Sequence, residues 1–255
     1  MEYIDTHCHI TDEAFAGEEE AYISRARAAG VTKMLQADID SSERERMFAL
    51  TGRYPGVLYP MLGLYPGSVD EHWEEEVEEL WRWTGQPVVA IGEIGLDYHY
   101  GAGFAAQQRE ALRAQFELAA RLNLPVNIHL REATEDFVRI VADCASLGLR
   151  GNLHAYSGSY ETFIQLGKYG DWRLGIGGVV TFKKASLAEI VRKVPLERLL
   201  LETDAPYLTP VPHRGTRNES AYIPLIAAKV AELKGVSIEE VATTTTQNAR
   251  ELFGI

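Results

Sequence analysis

Eight short apolar, β-branched runs, each bounded by glycine, proline or polar residues, recur along the chain and alternate with longer amphipathic segments. This alternation predicts a parallel sheet covered by helices, because parallel neighbours need long crossovers and a helix is the usual one. The runs are Tyr3 to His7, Thr32 to Gln36, Val57 to Leu62, Val88 to Glu93, Val126 to His129, Gly151 to His154, Arg173 to Gly177 and Leu199 to Glu202. Between them, Trp73, Val77, Leu80 and Trp81, and likewise Leu112, Phe116 and Ala119, fall at the spacing that puts side chains on one helical face. The acidic run Glu74, Glu75, Glu76, Glu78, Glu79 then reads as the solvated face of a core-packed helix.

Eight strand and helix pairs, with an extra helix at about Ile238 to Phe253, predict an α/β fold of the (β/α)8 TIM-barrel type with an additional C-terminal helix. The alternative, an open doubly wound sheet, is disfavoured because no G-x-G-x-x-G opens a helix after the first strand. A length of 255 residues suits one such barrel, so 1–255 is read as a single domain without linker or repeat. No stretch approaches the ~20 apolar residues of a membrane span, and Met1 to Asp5 lacks the order of a secretion signal, so a soluble, cytoplasmic protein is expected. Cys8 and Cys144 lack C-x-x-C spacing and read as ordinary reduced residues. A formal charge of −12 disfavours a protein that lives on duplex affinity through counterion release.

The residues suited to chemistry stand where these runs stop, which in a barrel is the catalytic face. His7-Cys8-His9 ends the first run, and alternation lets both imidazoles face one point. Glu93 breaks the apolar run before Ile94-Gly95-Leu96-Asp97; burying that carboxylate uncompensated would cost several kcal/mol, which a bound cation or an ion pair with a residue such as Arg131 would offset. His129 and His154 close two further runs, and Asp204 follows Leu199 to Thr203. Each histidine alone fits a satisfied core imidazole as well as a ligand. Six such groups at the ends of five runs point instead to a metal centre, in which Asp204 and Glu93 are the candidate catalytic groups.

With these residues goes a resemblance. The chain closely resembles the TatD family of metal-dependent deoxyribonucleases, in the amidohydrolase superfamily, over nearly its whole length. The likeness rests on Ile4-Asp5-Thr6-His7-Cys8-His9, Gly92-Glu93-Ile94-Gly95-Leu96-Asp97-Tyr98, His154 to Gly158, Glu202 to Leu208, Pro212-His213-Arg214-Gly215 and Arg217-Asn218-Glu219. It implies that His7, His9 and Asp204 hold one divalent ion, that His129 and His154 hold a second, and that Glu93 bridges them. The family is usually described with magnesium or a similar metal, whereas imidazole-rich ligation suits zinc or manganese better, so the identity among Mg, Mn and Zn stays open.

The expected activity is hydrolysis of phosphodiesters at DNA ends, probed by a water that two ions acidify and Asp204 deprotonates. Tyr65, Arg131, Lys183, His213 and Arg214 are the candidate substrate-binding residues, the charged ones equally able to serve as surface ion pairs. Arg217 and Asn218 read as supports of the loop over Asp204, with a helix-start role for Asn218 the other option. Tyr98, His99 and Tyr100 either line the entrance or pack a loop. No membrane and no obligate protein partner are expected.

Two departures bear on the substrate. Where the family usually has Gly-x-His-Pro, this chain has Gly63-Leu64-Tyr65-Pro66, and His129 is followed by Leu130-Arg131-Glu132 in place of Ser-Arg-Asp. A phenol carries no positive charge at neutral pH. The competing readings are therefore a metal-dependent ester or amide hydrolase, such as an aminoacyl-tRNA deacylase or a lactonase, and a metal-binding interaction protein without turnover.

Overall fold

All eight apolar runs form strands: β1 (Tyr3–Cys8), β2 (Val31–Gln36), β3 (Leu58–Leu62), β4 (Ala90–Asp97), β5 (Val126–Arg131), β6 (Arg150–Leu153), β7 (Asp171–Ile176) and β8 (Leu199–Leu201). The computed structural model describes residues 1–99, 103–183 and 185–255. Helices α1 (Glu19–Ala28), α2 (Ser41–Arg53), α3 (Trp73–Leu80), α4 (Ala105–Leu122), α5 (Thr134–Asp143), α6 (Tyr160–Leu166), α7 (Leu187–Lys193) and α8 (Ile223–Lys234) follow the strands in turn, and α9 (Ile238–Phe253) ends the chain. The strands pair in parallel in the order β1-β2-β3-β4-β5-β6-β7-β8. The circle is completed by the bridge Cys8–Ala205 and by hydrogen bonds from Asp204 N to His7 O and from His9 N to Ala205 O. This is the expected (β/α)8 barrel with its extra helix. No helix among the described residues is long and apolar enough to cross a membrane.

The core lies in two layers. Phe116, Phe137, Trp172, Ile190 and Val230 belong to a large buried cluster between strands and surrounding helices. Ile4, Leu35, Met61, Ala90 and Leu200, one from each of five strands, pack instead with Ala249, Leu252 and Phe253 of α9. Helix α9 starts on Ser237, whose hydroxyl accepts from Glu240 N, the usual way of satisfying a free helix N–H. Asn248 then donates to Leu196 O and Leu199 O, and Thr246 to Glu2 O, so α9 covers the N-terminal end of the strands and leaves the opposite end for chemistry.

Two sequence expectations are corrected. Strand β4 does not stop at Glu93 but continues to Asp97, paired with β5 as far as Asp97–Arg131. The reason is Gly95, at φ 151, where an added Cβ would lie 1.8 Å from His129 O; only glycine lets the two strands approach there. Between the pairs Ile91–Val126 and Ile94–Ile128, β4 carries one more residue than β5, a bulge of the kind that re-aims a side chain, and Glu93 sits in it. The acidic run is also not wholly solvated. Glu74, Glu75 and Glu78 are exposed, but Glu79 and Glu76 turn to the fully buried Arg44, whose Nε also donates to Asp38 at 2.7 Å. A buried guanidinium needs such partners, and nothing in helical periodicity announces it.

Candidate metal centre

Six sequence-selected groups converge at the C-terminal end of the barrel. His7 comes from β1 and His9 from just beyond it, Glu93 from the bulge of β4, His129 from β5, His154 from the residue after β6, and Asp204 from the turn after β8. Asp204 takes φ 58, a left-handed conformation that aspartate tolerates better than most side chains. Asn218 braces that turn by donating to Thr203 O and Tyr207 O, as the loop-support reading expected; its Oδ1 accepts from Glu219 N, which precedes the short helix 220–222, so the helix-start role is not the one it takes. Arg217 reaches Ala14 O and Glu18, tying the same loop to the segment after β1.

The nitrogens and oxygens face one another closely. His7 Nε2 and His9 Nε2 are 3.0 Å apart. Glu93 Oε2 lies 3.3 Å from His7 Nε2 and 3.5 Å from His9 Nε2, and its Oε1 lies 2.8 Å from His129 Nδ1 and 3.7 Å from His154 Nε2. Asp204 Oδ1 is 3.6, 3.3 and 3.8 Å from the Nε2 atoms of His7, His9 and His154. Two sets, His7 with His9 and Asp204, and His7 with Glu93 and His154, are compact enough for each to hold an ion. His129 stands outside both sets, against Glu93 on one side and Asp97 on the other.

Outer partners decide which nitrogens are available. His7 Nδ1 donates to Asn127 Oδ1 at 2.8 Å, and His154 Nδ1 to Glu202 Oε1 at 3.0 Å, so each ring presents an Nε2 lone pair to the centre. Glu202 is itself fully buried and accepts from Asn152 Nδ2 and Ala155 N. Its carboxylate occupies the space of a missing side chain: a Cβ on Gly175 would lie 2.0 Å from Oε2. His129 Nε2 is 2.9 Å from Asp97 Oδ2, which leaves Nδ1 facing Glu93. Lone pairs aimed at carboxylates repel unless a cation lies between them, so the donor set fits a divalent metal.

Protons serve as that cation when no metal is present. Burial acts against a charge on His7, but Glu93, Asp204 and Glu202 outweigh it and raise the ring to about 10. Burial likewise opposes charge on His129, and hydrogen bonds to Asp97 and Glu93 raise it to about 9. Glu93 is held well below the usual carboxylate range in spite of its burial, by His7, His129 and His154. Asp204 is lowered too, its burial outweighed by His154, His9 and His7.

The raised histidines set a pH dependence. Their contribution to stability in metal-free protein is fully present below about 6.5 and is lost as pH climbs through about 9 and about 10. Metal must displace these protons, so apparent affinity should rise about tenfold per pH unit for each proton released below that range. Calorimetric titration with Zn2+ at pH 8 in two buffers of different ionisation enthalpy should show at least one proton released; identical heats in both would contradict the assignment.

Above the centre opens a cavity of about 890 Å3, lined by His9, Tyr65, Glu93, His129, Arg131 and Asp204 among others. Tyr65 stands edge-on to His129, with ring centres 5.1 Å apart. Of the other substrate-binding candidates, Lys183, His213 and Arg214 are exposed and do not line the cavity; His213 stacks on Tyr222 and Arg214 lies over Phe182. Tyr98 donates to Asp136 and His99 meets Glu132, while Tyr100 lies outside the described residues. Sequence reading passed over Asp97, Asn127 and Glu202 as site residues. The signal for Glu202 was there, a carboxylate closing Leu199-Leu200-Leu201 just as Glu93 interrupts its own run.

Comparison with known proteins agrees with this geometry. The family described as TatD related DNase matches residues 4–254. The uncharacterized metal-dependent hydrolase YabD of Bacillus subtilis (strain 168) is 38% identical over 253 residues, covering 98% of each chain. The 3'-5' ssDNA/RNA exonuclease TatD of Pantoea ananatis is 36% identical over 259 residues, covering 98% of this chain and 99% of its own. The crystal structure of the TatD homologue YjjV from Escherichia coli K12 superimposes with a TM-score of 0.91 at 32% identity, covering 99% of this chain and 98% of that one.

Proposed function

The chain belongs to the TatD family of metal-dependent hydrolases, and from that premise we propose that it is a deoxyribonuclease of exonuclease type, hydrolysing phosphodiesters at single-stranded DNA ends with two divalent ions. In this reading His7, His9 and Asp204 would hold one ion, His154 through Nε2 would hold the second together with His129 through Nδ1, although His129 stands outside the compact sets, and Glu93 would serve both. The nitrogen-rich set favours zinc or manganese over magnesium. We take the protein to act in the cytoplasm. The observation that carries the proposal is the convergence of imidazole lone pairs and two carboxylates, 2.8 to 3.8 Å apart, at the floor of an open cavity. A relative named as a 3'-5' ssDNA/RNA exonuclease supports the substrate class.

The ions would supply Lewis acidity and bring a water's pKa toward about 7. The rest falls to the chain. Asp204, an ionised carboxylate at the cavity floor, accepts a proton from the attacking water. The new bond forms from that water oxygen to phosphorus, and the bond from phosphorus to the leaving nucleoside oxygen breaks with its electron pair. Arg131, on the cavity wall, offsets phosphate charge, and the Tyr65 hydroxyl donates to a phosphate oxygen. Lys183, His213 and Arg214, outside the lining, are suited only to more distant parts of a strand.

Tyr65 also favours a second reading, since a neutral phenol suits a carboxylic ester as well as a phosphate. The deciding assay incubates Mn2+-loaded protein with 5'-labelled single-stranded DNA beside mischarged tRNA. Stepwise loss of 3' nucleotides is expected; intact DNA with deacylated tRNA would move the assignment to the ester.

A further inference from the structure

The centre straddles the weakest seam of the barrel. His7 and His9 stand on the β1 side and Asp204 on the β8 side, yet among the described residues that seam carries one isolated bridge, whereas the seven other neighbouring pairs carry ladders. β8 is only three residues long, and Asp204 lies beyond its end. Among the described residues the backbone joins the two halves of the site here by the hydrogen bonds from Asp204 N to His7 O and from His9 N to Ala205 O, with no ladder on either side of them.

Asp5 stands at this seam. It is fully buried, and among the described residues its partners are hydrogen-bond donors rather than a cation. Oδ1 accepts from His7 N at 3.3 Å and from Thr203 N at 3.0 Å. Oδ2 accepts from Thr203 Oγ1 and from Ser220 Oγ, each at 2.6 Å. One carboxylate thus grips the backbone of a candidate ligand on β1 and, just beyond the end of β8, the residue immediately before Asp204. Strand β1 is irregular between Asp5 and Cys8, so Asp5 turns to the helix layer while His7 faces the centre. There Tyr22 of α1 lies 2.6 Å from Ser220 Oγ and accepts from Ser220 N, anchoring the far end of the network.

We propose that Asp5 is a positioning residue of the metal centre, adding side-chain hydrogen bonds to the sparse backbone pairing that sets His7 and Asp204 at ligating distance across the seam. The chemistry requires a carboxylate. Four donors converge on its two oxygens, and an asparagine would keep one acceptor oxygen and turn its N–H2 toward the hydroxyls of Thr203 and Ser220, each of which would have to stop donating and accept instead. The network would then loosen where the backbone pairing is sparsest, leaving the hydrogen bonds from Asp204 N and His9 N to hold the seam. A merely structural role would lower the stability of the fold and leave metal affinity alone; a positioning role changes the affinity and geometry of the bound ion.

The inference rests on the metal-centre reading, and the test separates the two. Co2+ is titrated into full-length wild type, D5N and S220A at a temperature well below each melting point, with calorimetry for affinity and visible absorption for coordination geometry. Wild type without Co2+ binding would overturn the metal-centre reading itself. With wild type binding, D5N should bind about 10- to 100-fold more weakly, the usual cost of losing a ligand's orienting partner, with a changed d–d band. S220A, which removes one donor at the edge of the network, should weaken binding by a smaller factor, and it carries the test if D5N does not fold. Wild-type affinity and spectrum in a folded D5N, or in S220A where D5N does not fold, would overturn the proposal.

Discussion

Replacing Glu93 by glutamine is expected to cut turnover to about a thousandth of wild type or less, because loss of a mere orienting partner already costs about 10- to 100-fold and Glu93 stands among the ligands themselves. Its carboxylate lies 2.8 to 3.7 Å from nitrogens of four imidazoles, and no other carboxylate among the described residues reaches all of them. Glutamine keeps the volume but removes the charge and presents an amide N–H2 to lone pairs. Metal content per chain should fall in parallel, measured by elemental analysis after dialysis. The charge also helps sustain the raised histidines, beside Asp97 at His129 and Asp204 and Glu202 at His7, so E93Q should weaken the alkaline part of the pH dependence in metal-free protein. Retention of more than a tenth of wild-type turnover with full metal content would remove Glu93 from the centre.

Tyr65→His should raise phosphodiester hydrolysis by about 100-fold while leaving carboxylic ester hydrolysis unchanged, since a placed general acid contributes about 10²- to 10⁴-fold. Tyr65 lines the cavity beside His129. Burial pushes its phenol well above the usual range, and Glu93, Asp97 and Asp204 push it further, so it stays neutral at any working pH. The same carboxylates would favour the protonated form of an imidazole placed there. Kinetics on a chromogenic phosphodiester and a matched acetate ester measure the split. An equal change in both substrates would show that this position governs access to the cavity and not the choice of leaving group.

Much of this candidate site was legible from residues alone because its candidate ligands lie where apolar runs stop. His7, Glu93, His129, His154 and Asp204 each interrupt or follow a strand pattern, and in a parallel barrel those points all face one end. The three outer partners passed over, Asp97, Asn127 and Glu202, sit within or beside the same runs, but their roles depend on contacts across 32 to 120 residues of chain. Asn127 in a strand reads as a mere polar interruption until His7, from the other side of the barrel, is placed against it. Arg44 was hidden for the opposite reason: a helical pattern assigns a guanidinium to solvent, and only the approach of α3 buries it between Asp38 and Glu79.

Local chemistry therefore determined the elements and the ligand types, since strand period, helix period and the cost of burying a charge act over a few residues or on a single group. Tertiary structure decided how those groups are used. Gly95 prolongs β4 by letting two backbones touch, a bulge aims Glu93 inward, and Asn127, Asp97 and Glu202 choose which nitrogen each imidazole offers. These are matters of contact between segments remote in sequence, and the seam between β1 and β8, where the centre is split, exists only once the barrel has closed.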